Sequence, residues 1–164
     1  MKEIYLAGGC FWGVEAFFSR VPGVLDAASG YANGNTQNPS YEDVCRRNTG
    51  HAETVRVRYD PEKVSLETLL RLFFRIVDPT TKNRQGNDVG TQYRSGIYYV
   101  DEADKKMAES VLEDVRGQYR KPVVTELEPL RQFYEAEEYH QDYLEKHPSG
   151  YCHVDFSILE ELRK

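Results

Sequence analysis

The chain has 164 residues, 40% of them hydrophobic and 29% charged, and a formal net charge of -6. That suits one domain spanning 1–164 with a core of its own, and the interleaving of acids and bases leaves no basic footprint for nucleic acid or an anionic membrane. No apolar run approaches the ~20 residues that cross a bilayer, and Lys2 leads into I-Y-L-A-G-G without a signal-peptide pattern, so a cytoplasmic protein with no membrane partner is expected, and a monomer with it.

Ile4 and Leu6 alternate into Gly8 and Gly9, which predicts a short strand ending where backbone comes close to something. Phe11, Val14 and Phe18 then predict a helix that starts at or just after Cys10 and stops before Pro22. Gly30 to Gly50 is rich in Asn, Thr and Gly and stays unassigned around a short helix at Ser40 to Val44. Val55, Val57 and Tyr59 alternate with polar residues in a half-buried strand that runs to the Asp60-Pro61 turn. Ser65 caps a helix with the stripe Leu66, Leu69, Leu70, Phe73, Phe74 and Val77. After a second unassigned loop, Thr80 to Gln92, come a strand from Tyr93 to Val100 and a helix capped by Asp101 and striped by Ala103, Met107, Val111, Val115 and Tyr119. Val123 to Leu127 reads as a last strand and Ala136 to Lys146 as a helix stopped by Pro148, with a flexible tail from about 148. Interleaved strands and helices with short links predict an α+β two-layer sandwich of ferredoxin-like, split βαβ type, with long irregular loops and a C-terminal tail.

Cys10, Cys45 and Cys152 are odd in number, far apart and form no C-x-x-C, which fits reduced thiols and argues against a zinc site. Cys10 falls at a strand-to-helix junction, where unpaired N–H groups and the positive helix end stabilise a thiolate; it is the candidate nucleophile, with a buried structural cysteine as the alternative. Phe11 and Trp12 cannot both face the core, since successive helical residues point about 100° apart. One ring can therefore wall a site for a polarisable, uncharged group such as a thioether methyl, unless both are core aromatics. Counting by twos through Val55, Val57 and Tyr59 turns Glu53 to the apolar face, where burial raises a carboxyl pKa toward neutrality and suits a general acid; the other reading is an edge glutamate twisting to water. Tyr93, in phase with Ile97 and Tyr99, and Tyr41, in the polar loop, can aim phenols into a cleft, although packing is the commoner use among 12 tyrosines. His140 reads as a hydrogen-bonded core residue. Glu138, His140 and Asp142 lie two apart on the expected helix and share no face, so no metal site is expected there. Cys152, in P-S-G-Y-C-H-V-D, either reaches a distant thiol or is incidental. The residues leave open a thiol-dependent reductase, a cysteine hydrolase or acyl transferase with a histidine base, and a peptide-binding module with an aromatic pocket.

G-C-F-W-G at Gly9 to Gly13, Y-E-D-V-C at Tyr41 to Cys45, G-H-A-E at Gly50 to Glu53, Q-G-N-D-V-G-T-Q-Y-R-S at Gln85 to Ser95 and G-Y-C near the C-terminus together closely resemble the A-type peptide methionine sulfoxide reductases. The resemblance implies a nucleophile at Cys10, a methyl pocket at Phe11 and Trp12, contacts to the sulfoxide oxygen from Glu53, Tyr41 and Tyr93, binding of the substrate backbone by Asp88, and a resolving cysteine at Cys152. It also implies reduction of the S epimer of methionine sulfoxide, free and in oxidised proteins, through a cysteine sulfenic acid and an intramolecular disulfide, with no bound metal, flavin or nicotinamide. A dithiol such as thioredoxin would restore the enzyme. Unlike members with a further cysteine in a longer tail, this chain ends S-I-L-E-E-L-R-K, so a relay through two tail thiols is not expected.

Overall fold

β1 (Lys2–Gly8) alternates Ile4 and Leu6 with Tyr5 and Ala7, and both sets are buried, so the strand has no solvent face and belongs in the middle of a sheet. The computed structural model describes residues 1–46, 49–85, 88–141 and 156–161. β1 runs antiparallel to β3 (Ala52–Tyr59) on one side and to β6 (Ser95–Tyr99) on the other, while β2 (Val24–Ala32) pairs antiparallel with the far side of β3. β7 (Glu126–Pro129) extends the sheet parallel to β6, and β8 (Phe133–Glu135) extends it antiparallel to β2, which gives the order β7-β6-β1-β3-β2-β8. The two edge strands are consecutive in the chain and only residues 130–132 join them, so the sheet is curled. Asn33, just past β2, holds that link: its Nδ2–H donates to the Pro129 carbonyl at 3.1 Å and its Oδ1 accepts the Arg131 N–H at 2.8 Å. A small separate hairpin pairs β4 (Arg84–Gln85) with β5 (Asp88–Val89).

One face of the sheet carries the main core. Ile4, Leu6, Val55, Val57, Tyr59, Ile97 and Tyr99 meet α1 (Phe11–Ser19), α3 (Leu66–Ile76) and α4 (Glu102–Arg116), while α2 (Tyr41–Arg46) stands in the long loop before β3. α3 starts where Ser65 Oγ accepts the Thr68 N–H at 3.1 Å, and its stripe puts Leu69, Leu70 and Phe73 at 0% exposure. Each such side chain contributes roughly 1.5–3 kcal/mol of burial. Asp101 caps α4 in the same way through the Ala103 N–H. The other face is thinner: Tyr5, Ala7, Ala32, Ala52 and Tyr98 pack with Leu130 and Phe133 from the curled edges. A short α5 (Ile158–Glu161) returns Ile158 and Leu159 to the main core. The result is a mixed α/β fold with a curled sheet and few helices. Among the described residues no helix is long and apolar enough to cross a membrane.

Several expected elements are corrected. The strand expected from Tyr93 begins at Ser95, because Thr91–Tyr93 is a 3-10 turn. The strand expected at Val123 to Leu127 is β7, shifted to Glu126–Pro129. The helix expected from Ala136 does not form over Ala136–Gln141, which holds a 3-10 turn at Glu138–His140. There the Ala136 N–H and the Gln141 Nε2–H donate to the Ser29 carbonyl on β2 at 2.9 and 2.8 Å, so sheet contacts displace helical ones. The rest of that expected helix and the expected tail from 148 up to 155 lie outside the described residues. β2 and β8 were not anticipated.

Candidate active site

β1 can end as it does only with glycine. A Cβ on Gly8 would come 2.5 Å from Val77 Cγ1, and Gly9 has φ +87°, which side-chain-bearing residues rarely adopt. The turn delivers Cys10 to the residue before α1, with extended backbone (φ -61°, ψ 123°) and 8% exposure. The thiol-bearing junction is thus buried.

Glu53 comes to the same place from β3. Its strand phase is that of Val55, Val57 and Tyr59, and it is 1% exposed. Its Oε1 accepts the N–H of Phe11, the residue after Cys10, at 3.3 Å, and its Oε2 is buried with no hydrogen-bond partner among the described residues. Burial, reinforced by the charge of Asp88 and opposed by the Phe11 N–H, pushes the Glu53 carboxyl up to about 8, so at neutral pH it is mostly protonated.

Aromatic rings cluster at the start of α1, next to Cys10 in the chain. Phe11 is 1% exposed and packs against Tyr31, Tyr41 and His140, with centroids 5.7, 6.3 and 5.3 Å away. Trp12 is half-buried and donates its indole Nε1–H to His140 Nδ1 at 3.0 Å. That bond assigns His140 the Nε2–H tautomer, and burial lowers its pKa, so the ring stays neutral. Tyr41, the first residue of α2, lies 4.4 Å from the His140 ring, centroid to centroid.

Asp88 and Tyr93 arrive from the β4–β5 hairpin and the 3-10 turn that follows it, which packs against β3; both are half-buried. Gln85 holds the hairpin to the end of α3, accepting the Asp78 N–H at 2.9 Å and donating to its carbonyl at 2.7 Å. The structure therefore brings Cys10, Phe11, Trp12, Tyr41 and Glu53 into one cluster, with Asp88 close enough for its charge to act on Glu53. Cys152 lies outside the described residues, and so does the side chain of Cys45 in α2.

Tyr31 and Glu137 also belong to the cluster and were not anticipated there, and His140, expected as a hydrogen-bonded core residue, joins it. Tyr31 pairs in register with Glu53, and its OH donates to Glu137 Oε1 at 2.9 Å; Glu137 Oε2 accepts the Tyr41 N–H at 3.0 Å. The register of β2 against β3 would have pointed to Tyr31, but β2 itself was missed; Glu137 carried no local signal.

The hydrogen bonds weigh against a histidine-based hydrolase. His51 accepts the Gly34 N–H at Nδ1 (3.1 Å) and pairs Nε2 with the Thr36 carbonyl (2.7 Å), and the one lone pair of neutral His140 is taken by Trp12. Neither imidazole is open as a base; His147 and His153 lie outside the described residues. Among the described residues no group of His, Cys, Asp or Glu could hold a metal ion. A thiol at a helix start beside a protonated carboxyl and an aromatic wall suits attack on a polarised sulfur whose oxygen needs a proton.

A family model described as peptide methionine sulfoxide reductase matches residues 2–164. The peptide methionine sulfoxide reductase MsrA of Clostridium acetobutylicum is 54% identical over 161 residues, covering 98% of this chain and 99% of the relative. The crystal structure of Mxr1 from Saccharomyces cerevisiae in reduced form superposes with a TM-score of 0.87 at 43% identity, covering 92% of this chain and 88% of that one. The same yeast protein in complex with Trx2 matches with a TM-score of 0.63 at 34% identity, over 87% and 84% of the two chains. With sequence and fold agreeing over nearly its whole length, this chain belongs to the peptide methionine sulfoxide reductases, an oxidoreductase family.

Proposed function

We propose that the protein reduces the S epimer of methionine sulfoxide, free and in oxidised cytoplasmic proteins, with Cys10 as nucleophile and Glu53 as general acid. The observation that carries this reading is the buried Glu53 carboxyl, pushed up to about 8 and hydrogen-bonded to the N–H next to Cys10. In the reductive step the Cys10 sulfur attacks the sulfoxide sulfur, the Glu53 proton goes to the sulfoxide oxygen, and that oxygen ends on Cys10. Sulfoxide and thiol thus become methionine and a cysteine sulfenic acid. The first turn of α1 stabilises the Cys10 thiolate. Phe11 and Trp12 hold the substrate methyl by apolar and sulfur–ring contact. Tyr41 and Tyr93 hydrogen-bond the oxygen, and Asp88 binds the substrate backbone.

The sulfenic acid then condenses with the thiol of Cys152, releasing water and forming a disulfide, and a dithiol such as thioredoxin reduces it. The yeast relative solved in complex with Trx2 supports that partner. The scheme uses no bound cofactor and works in a monomer with one domain over 1–164. The order β6-β1-β3-β2, with α1 crossing between β1 and β2 and α3 between β3 and β6, supports reading the fold as a ferredoxin-like, split βαβ sandwich.

Mixing the protein with excess racemic methionine sulfoxide and no reductant tests the scheme. About one methionine per chain should appear, two thiols should be lost, and chiral chromatography should show only the S epimer consumed. Methionine release by Cys10→Ser at the wild-type rate would remove Cys10 as nucleophile.

A further inference from the structure

We propose that Glu137 is a positioning residue for the reductive step: its carboxylate fixes the start of α2 against β2 and so sets where the Tyr41 phenol points. This rests on the role proposed above for Tyr41.

The segment that carries Glu137 is held to the sheet independently of the site. Ala136 N–H and Gln141 Nε2–H both donate to the Ser29 carbonyl, Gln141 Oε1 accepts the Ser29 N–H at 3.0 Å, and the His140 N–H closes the turn on the Glu137 carbonyl at 2.9 Å. From this one segment His140 takes the Trp12 indole while Glu137, the residue before the turn, takes Tyr31 and Tyr41.

Both oxygens of Glu137 are committed. Oε1 accepts the Tyr31 OH at 2.9 Å, and Oε2 accepts the Tyr41 N–H at 3.0 Å and the Tyr139 OH at 3.3 Å. Tyr31 is 0% exposed, opposite Glu53 in the sheet and against the Phe11 ring, so one end of the bridge is rigid. The other end is a backbone N–H in the first turn of α2, which the helix itself cannot satisfy. α2 is 6 residues long, too short to hold its own orientation. Burial pushes the Glu137 carboxyl up, but the hydrogen bonds from Tyr41 and Tyr31 win and its pKa is lowered. It is therefore an anion where Glu53 is an acid, and it has no proton to give.

Loss of the bridge leaves the Tyr41 ring its contacts with Phe11 and His140, so the pocket survives while the phenol loses its direction. The effect should fall on rate rather than capture. The test is single-turnover methionine release by wild type, Glu137→Gln, Tyr41→Phe and the double variant, each over a range of sulfoxide concentration. Both single variants should slow the step by about tenfold with half-saturation unchanged within about twofold, and the double should be no more than about threefold slower than the slower single, as coupled groups behave. Glu137→Asp, which keeps the charge and shortens the tether, should show the same non-additivity and serves if Glu137→Gln does not fold. Effects that multiply toward about a hundredfold, or a wild-type rate in Glu137→Gln, would overturn the proposal. A wild-type rate in Tyr41→Phe would overturn it too, and would locate the failure in the role given to Tyr41.

Discussion

Glu53→Gln isolates the proton from everything else Glu53 does. The amide is isosteric, its oxygen can still accept the Phe11 N–H, and its nitrogen can still hydrogen-bond a sulfoxide oxygen, but it cannot transfer a proton. The loss is then the general-acid contribution alone, about 10²–10⁴ in rate. At about 1.4 kcal/mol per tenfold this corresponds to roughly 3–5 kcal/mol of barrier. Stopped-flow single turnover from pH 6 to 9.5 is the assay. The acid is present below its folded pKa, so the wild-type rate should fall as pH rises through about 8, an alkaline limb that the variant should lack. A variant within tenfold of wild type at pH 7, or one that keeps the alkaline limb, would refute the acid assignment.

The same substitution has a stability signature of opposite sign. The folded-state pKa of Glu53 is raised from 4.5 to about 8, so between those values the native chain keeps a proton that the unfolded chain has released. The stability that this proton contributes is fully present below about 4.5 and is lost at about 1.4 kcal/mol per unit as pH rises toward 8. The variant does not titrate. The difference in unfolding free energy between variant and wild type should therefore move in the variant's favour by about 3–4 kcal/mol from pH 5 to pH 8, whatever fixed cost the buried amide carries. Urea unfolding at several pH values measures it. A difference that stays flat with pH would mean that the carboxyl is not buried as a neutral acid, and would remove the basis for its catalytic role at the same time.

Trp12→Ala should raise the half-saturating sulfoxide concentration more than about tenfold and also cost about 1–3 kcal/mol of stability, because it strands the buried Nδ1 of His140. Unchanged catalytic efficiency would reduce Trp12 to packing. Cys152→Ser should release about one equivalent of methionine and then stall with thioredoxin, whereas Cys45→Ser should recycle. Peptide mapping after one turnover reads the linkage, and a dominant Cys10–Cys45 disulfide would overturn the choice of Cys152.

What could be read from the sequence divides along a physical line. α3 and α4 were legible because one face of each meets the core and the other meets water, and Glu53 because the alternation Val55, Val57, Tyr59 extends back to it without interruption. β2 was not legible. It lies between β3 and β8, its inner residues are Ala27, Ala28, Ser29, Gly30, Tyr31 and Ala32, all buried, and an irregularity in register falls between Val24 and Asp26, so neither alternation nor size marks it. Ala136 to Gln141 misled in the opposite way. Ala136, Tyr139 and His140 have helical spacing, yet Tyr139 is 58% exposed and His140 is turned to the rings of Phe11, Trp12 and Tyr41, so the spacing served the site and not a helical stripe. Glu137 was invisible for a related reason: its partners Tyr41 and Tyr31 lie 96 and 106 residues earlier. Asp88 entered only through the family motif, since nothing in its own hairpin shows that its charge bears on Glu53. Periodicity reports which way a side chain faces within its own element. A carboxylate that joins two elements distant in the chain has no period, and its part in the site is decided by which strand end the curled sheet brings beside it.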